Sequence, residues 1–355
     1  MTQLLVGTRK GLFVLDGDGP GPFEVAARAF PGESVEYAMR DPRTGRYLAS
    51  VTSWFYGPKG WVADDPGGDW QQTEGTTLPE GEDASLERIW VIVPGEEDGV
   101  VYAGGDPGVL FESRDGGLTW SLNRGLWDHP TRPGWTPGAG GLCLHTIVPW
   151  PGDPSRLMVA ISAVGVWLSD DGGASWRHSN TGIVPEYLPE EARDTPIQHC
   201  VHHVRRSAAR PERLFMQFHG GVYRSDDAGA TWVDVGDELA TDFGFPVVVD
   251  PADPDSAFVI PLDGAGDRVT PGGRVVVYET RDAGASWHPR TQGLPQENAY
   301  LTVLREAFDS TGAGPGLELY FGATSGDLFG SSDGGASWFV AAEHLPPVYS
   351  VRAAS

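Results

Sequence analysis

Two cysteines and four methionines in 355 residues leave this chain little sulfur. A small secreted fold held by disulfides would need more, so a disulfide framework is excluded. Positive charge is also scarce, with 25 Lys and Arg against 49 Asp and Glu and a net charge of −24. Such a field repels phosphate backbones and anionic lipid, and neither nucleic acid nor a membrane is expected as a partner. No run approaches the roughly 18 apolar residues of a spanning helix. The opening stretch MTQLLVGTRKGLFVL is broken by Thr8, Arg9 and Lys10, so it forms no signal-peptide core, and the reading is a cytoplasmic protein. A phosphate loop, a dinucleotide fingerprint and His-Glu-x-x-His are all missing. The common enzyme classes therefore gain no support, and whether the chain is an enzyme stays open.

Tryptophan is abundant, at 13 residues, and its spacing is regular. The stretch SRDGGLTW ending at Trp120 returns as SDDGGASW at Trp176, SDDAGATW at Trp232, TRDAGASW at Trp287 and SSDGGASW at Trp338, with a worn copy, ADDPGGDW, at Trp70. The intervals are 50, 56, 56, 55 and 51 residues. A period near 50 in strand-rich sequence is the mark of propeller blades. Each copy follows an alternating run such as RLMVAISAVGVWLS, which reads as two strands with a tight link, and a further apolar run such as LCLHTIVPW lies upstream. Three strands before the box and one after it make a four-stranded antiparallel blade. Ser, Asp and Gly suit the turn itself, since the first two bond backbone N–H groups and the third takes a positive φ. LLVGTRKGLFVLDG near the start lacks an inner strand, and VYSVRAA near the end supplies one. The prediction is a single all-β domain over residues 1–355, a seven-bladed β-propeller whose first blade is shared between residues 1–30 and 345–355, leaving no free edge at the seam.

These boxes resemble those of the Asp-box, or BNR-repeat, propellers, a superfamily that includes sialidases, xyloglucan-active glycosidases, sortilin-type receptors and photosystem assembly factors. The chain is similar to bacterial proteins labelled exo-sialidase or glycosyl hydrolase by repeat content. One such fold hosts many functions. Sialidases carry an Arg-Ile-Pro element in the first blade, an arginine triad for the sugar carboxylate and a Tyr-Glu pair. Here the first-blade loop reads Thr8-Arg9-Lys10-Gly11 and no Arg-Ile-Pro occurs, which counts against true sialidase activity. Xyloglucan-type enzymes use two propellers, and this chain supplies one.

The resemblance places the ligand opposite the boxes, where inner strands begin. Aligning those strands puts Val35, Trp90, His145, His202, Phe245, Tyr300 and Val348 at one level. Two residues earlier, on the same side of each strand, stand Glu33, Arg88, Cys143, Cys200, Phe243, Asn298 and Pro346. Both cysteines thus fall in Cys-x-His elements of adjacent blades. Cys143, His145, Cys200 and His202 are candidate ligands for zinc or copper, and His145, His202 and His219 are candidate acid–base groups. Buried copies of one ancestral repeat would look the same. Arg9, Lys10 and Arg88 are candidates for holding an anion, and Trp90 and Tyr300 for contacting the ligand. Glu33, Glu36, Asp106 and Asp263 are candidate carboxylates, and Trp54 and Phe55 candidate stacking surfaces. The long connections 123–141, 180–198 and 261–274 place function around blades four to six. Three readings follow. The mouth binds a small molecule or glycan, with hydrolase- or lyase-type chemistry; the propeller is a non-catalytic scaffold for a protein partner; or it is a diverged sialidase-like hydrolase, which needs three converging arginines beside a Tyr-carboxylate pair.

Overall fold

The computed structural model describes residues 1–81 and 84–354. Seven four-stranded antiparallel sheets form a β-propeller. Their inner strands, from blade one to blade seven, are Val348–Ala354, Ser34–Arg40, Arg88–Pro94, Leu144–Trp150, Val201–Arg206, Gly244–Asp250 and Phe308–Thr311. Each packs on the next and the seventh on the first, so the ring is closed. In blade one Val348–Ala354 pairs antiparallel with Thr2–Thr8, as the sequence predicts. The closure is locked by Arg352, which donates from Nε to Tyr37 Oη at 2.7 Å and from Nη1 to the Glu306 carbonyl at 3.0 Å, and pairs through Nη2 with the Glu306 carboxylate. One buried guanidinium thereby ties blades one, two and seven. The outermost strands of blades two to five are two residues long, as in Gln71–Gln72 and Ser121–Leu122, too short to template pairing with another chain. Among the described residues no helix is long and apolar enough to cross a membrane.

The repeated octapeptide explains itself at atomic level. In SDDGGASW, the Ser169 hydroxyl accepts from Gly173 N at 2.8 Å and donates to Asp171 Oδ1 at 2.8 Å, while Asp171 accepts from the Ser175 amide at 2.9 Å and its hydroxyl at 2.6 Å. Gly173 has φ +89°, a conformation that favours glycine. The tryptophan then bonds the preceding blade: Trp176 Nε1 reaches Asn123 Oδ1 at 3.1 Å, and Trp120, Trp232 and Trp287 similarly reach Thr73, Ser179 and Val235. The turn closes its own blade and its tryptophan pins the neighbour.

At the opposite end the inner strands carry a second repeat, one of irregularity. In blades two to five a single extra residue bulges out of the pairing with the second strand, at Glu36, Trp90, His145 and His202. The same shift occurs at Tyr349 in blade one and across Phe245 and Pro246 in blade six. A bulge re-aims the side chain it carries. The aligned level predicted from sequence therefore holds in blades three to six, but it is one residue early in blades one and two, where Val348 and Val35 are core residues and Tyr349 and Glu36 bulge. In blade seven it fails, because residues 299–306 are not strand and Tyr300 lies exposed outside the sheet.

Candidate functional site at the channel mouth

A cavity of about 210 Å³ opens at this end of the ring, smaller than the roughly 300–1,000 Å³ that drug-sized ligands occupy. The bulged residues Glu36, Trp90, Phe245 and Tyr349 line it, with Arg88, Arg268 and Arg305. Each arginine arrives from a different kind of element. Arg88 opens the inner strand of blade three, Arg268 sits in the insertion between the second and third strands of blade six, and Arg305 comes from the irregular segment entering blade seven. The guanidiniums lie on aromatic faces: Arg88 over Trp90 at 4.7 Å, Arg305 over Trp90 at 5.1 Å and Phe245 at 5.9 Å, and Arg268 over Phe245 at 5.8 Å. Such stacking fixes the planar forks while leaving edge donors free for a carboxylate.

Arg305 stands apart electrostatically. Three arginines of the described residues are buried. Arg213 pairs with Asp226 and Asp255, and Arg352 with Glu306. Arg305, only 7% exposed, has no carboxylate partner among the described residues, and its one hydrogen bond runs to Cys143 Sγ at 3.6 Å. A charge held out of water without a counter-ion is costly, and a fold keeps it where something else will neutralise it. Glu36, by contrast, accepts from Ser34 Oγ at 2.8 Å and lies 3.6 Å from Arg88 Nε. Burial holds the Tyr349 phenol above its usual range, and the Glu36 carboxylate adds to the shift against the opposing charges of Arg9 and Arg88. Glu306 also lines the cavity, and its Oε1 and the buried His203 Nε2 lie 3.7 Å apart with no hydrogen-bond partner.

The histidines named from the sequence do not line this cavity. His145 donates or accepts through both nitrogens, to Thr146 Oγ1 at 2.9 Å and the Val201 carbonyl at 3.0 Å. His202 donates from Nδ1 to the Gly244 carbonyl at 2.5 Å. These contacts staple the inner strand of blade four to that of blade five, and five to six. Burial, with the Arg305 charge next, pushes both imidazoles well below the usual histidine range, so both are neutral at pH 7. Cys143 contacts the Gly140 and Gly141 carbonyls at 3.4 and 3.7 Å besides Arg305, and both cysteines are free thiols. The proposed four-ligand set of Cys143, His145, Cys200 and His202 is thus divided. Cys200, His202 and His219 instead gather with their ligand atoms within 4.8 Å of one another.

Arg9 and Lys10 are exposed in the turn between the second and third strands of blade one. Asp106, whose carboxyl burial pushes up, and Asp263 are not among the lining residues, and Glu33 meets Ser53 Oγ at 3.4 Å outside it. Of the long connections, 123–141 contributes Gly140 and 261–274 contributes Arg268, while 180–198 supplies Tyr187, which packs on His219. A larger, open cleft of about 590 Å³ lies between blades three and four on the box side, lined by Asp115, Arg114 and Gly173. Similar grooves recur between blades four and five and between six and seven. Their polar groups serve the turns, so they are seams of the architecture.

Comparison with solved structures identifies the same ring elsewhere. An ancestral GH74 enzyme superposes with a TM-score of 0.60 at 15% identity, over 99% of this chain and 40% of that one. The present chain thus spans well under half of that enzyme. YCF48 from Cyanidioschyzon merolae gives 0.53 at 11% identity over 86% and 83%, and a putative 6-phosphogluconolactonase from Bacteroides fragilis gives 0.60 at 9% over 100% and 98%. No family model matches the chain, and no curated protein matches it in sequence. Likeness at such low identity establishes the propeller and leaves the chemistry to the site.

Sequence reasoning missed Arg268, Arg305 and Tyr349. Tyr349 is found by allowing one bulge per inner strand. Arg305 has a weaker signal, a lone arginine in LTVLREAF ahead of a strand, and Arg268 has only the length of the 261–274 insertion that carries it, which has no counterpart in other blades to align it by.

Proposed function

We propose that this chain is an Asp-box propeller that binds a small organic carboxylate, of sugar-acid size, at the channel mouth. The observation that carries the reading is Arg305, a buried guanidinium without a counter-ion in a cavity shared with two further arginines. Trp90 and Phe245 hold the three forks in place by stacking, and the forks give a ligand carboxylate charged donors. Tyr349 and Glu36 place a hydroxyl and a carboxylate in the same cavity. Three arginines beside a Tyr-carboxylate pair are what the sialidase-like reading required, although the arginines come from blades three, six and seven and not from a first-blade Arg-Ile-Pro. Hydrolysis of a glycoside of such an acid is the activity these groups suit.

Calorimetric titration with sialic and glucuronic acids, with glucose as the uncharged control, tests the binding. The acids bind, glucose does not, and Arg305→Met weakens the better acid by about 10–100-fold, the range of one lost charge-assisted bond. Fluorogenic glycosides of the same acids test turnover. Equal affinity for acid and neutral sugar, or an unchanged affinity in Arg305→Met, overturns the proposal.

A second reading, a scaffold for a protein partner, has its own observation. Trp54, Phe55 and Tyr56 are all exposed, at 91%, 84% and 79%, on the turn between the second and third strands of blade two. Consecutive exposed aromatics on a rigid hairpin are the composition of an interface hot spot. A protein that binds none of the acids, with Trp54→Ser and Phe55→Ser abolishing capture of a defined partner, would favour this reading over the first.

A further inference from the structure

The side-chain cluster at the head of blade five lies outside the cavity lining, and the carboxylate site makes no use of it. We propose that Cys200, His202 and His219 form a zinc site. Their ligand atoms already lie within 4.8 Å of one another. The backbone brings them together, since the His219 amide donates to the Cys200 carbonyl at 3.1 Å, setting these two residues opposite each other at the open end of the first two strands. His202 joins from two residues along the first of those segments. Its Nδ1–H is committed to the Gly244 carbonyl, which leaves the lone pair on Nε2. A backbone acceptor on the far nitrogen is the outer-shell arrangement that orients a metal-bound imidazole.

The surroundings suit a metal that binds dry, soft donors. Phe243 packs on both imidazoles with ring centres 5.3 Å away, Phe245 on His202 at 4.9 Å and Tyr187 on His219 at 4.9 Å. The Tyr187 hydroxyl also accepts from the Cys200 amide at 2.7 Å, fixing the thiol's backbone. One thiol and two imidazoles, with no carboxylate, exclude magnesium and calcium and match the zinc sites that keep a fourth position for water. Zinc bond lengths place neighbouring ligand atoms roughly 3.5 Å apart, so from 4.8 Å the site closes by up to about 1.3 Å, within reach of the half-buried His219 on its turn. On binding, the Cys200 sulfur exchanges its proton for the metal and that proton leaves to solvent. The thiolate then offsets part of the cation's charge beside Arg305.

Cobalt(II) reports such a site directly. Reduced full-length protein titrated with cobalt is expected to bind one equivalent, with thiolate charge-transfer absorption in the near ultraviolet and intense visible bands of a tetrahedral ion, all displaced by zinc. Cys200→Ser loses the near-ultraviolet band, His219→Ala weakens cobalt at least tenfold, and Cys143→Ser changes neither. Circular dichroism confirms that each variant is folded, and His219→Ala, altered at a half-exposed turn, keeps the test open if Cys200→Ser is not. No band in the wild type, a band that survives Cys200→Ser, or one that depends on Cys143 overturns the proposal. The result is independent of the carboxylate reading, because Arg305→Met is expected to lose acid binding and keep the cobalt spectrum.

Discussion

The two ends of the ring are built on opposite rules. At the box end, five turns repeat one hydrogen-bond pattern in which the Ser or Thr hydroxyl accepts from the glycine amide four residues on. At the mouth the bulged side chain changes from blade to blade, with only the histidines of blades four and five alike. The bulges carry Glu, Trp, His, His, Phe and Tyr, and one buried arginine lacks a counter-ion. Satisfied repetition holds a fold together, and unsatisfied variety is where a ligand would complete the structure.

Substitutions separate the two regimes, and the largest effect falls where the ring closes. Arg352→Met leaves Glu306 buried without its partner and should cost about 3–5 kcal/mol in urea unfolding. A loss below about 1 kcal/mol would mean that the closing strand does not depend on this pair. Ser169→Ala removes the hydroxyl that serves Gly173 N and Asp171, and should cost about 1–3 kcal/mol by the same measurement.

The box end should also be the acid-sensitive end. The Ser175 hydroxyl and amide hold the Asp171 carboxyl below the usual range, and Ser286 does the same for Asp282. Asp115, Asp227 and Asp333 are lowered too, their turn hydrogen bonds outweighing burial. A folded-state value below the unfolded one contributes stability that is complete above the unfolded value near 4 and is lost as pH falls through the folded value. The urea midpoint is therefore expected to decline below about pH 4, and less steeply in Asp171→Asn. Equal slopes would contradict the assignment.

The mouth should respond in the contrary sense. Arg305→Met removes a buried charge that nothing neutralises, so stability is expected to hold or rise while acid binding falls, whereas a loss above about 1 kcal/mol would show that Arg305 is structural. Trp54→Ser, at a side chain 91% exposed, should stay within about 0.5 kcal/mol of wild type.

The same contrast explains what could be read in advance. Boxes recur because each is a local solution, three to seven residues deciding one turn, so the blade count, the tryptophan positions and the partner strand VYSVRAA were legible. The mouth is assembled from residues far apart in sequence. A bulge breaks the period of two on which alignment relies, which is why Val35 and Val348 stood in for Glu36 and Tyr349. Blade seven enters through a segment without strand geometry, which drew attention to Tyr300 and away from Arg305. Histidines invited a chemical role because their hydrogen bonds to neighbouring carbonyls belong to tertiary structure.

The strand Val348–Ala354 also has a temporal meaning. It is made after the other six blades, and it carries Tyr349 to the cavity while Arg352 clasps blades two and seven. Until it docks, the mouth lacks one wall. A ligand that touches Tyr349 therefore recognises a finished ring over an open one, and its affinity would count directly towards keeping the seam shut.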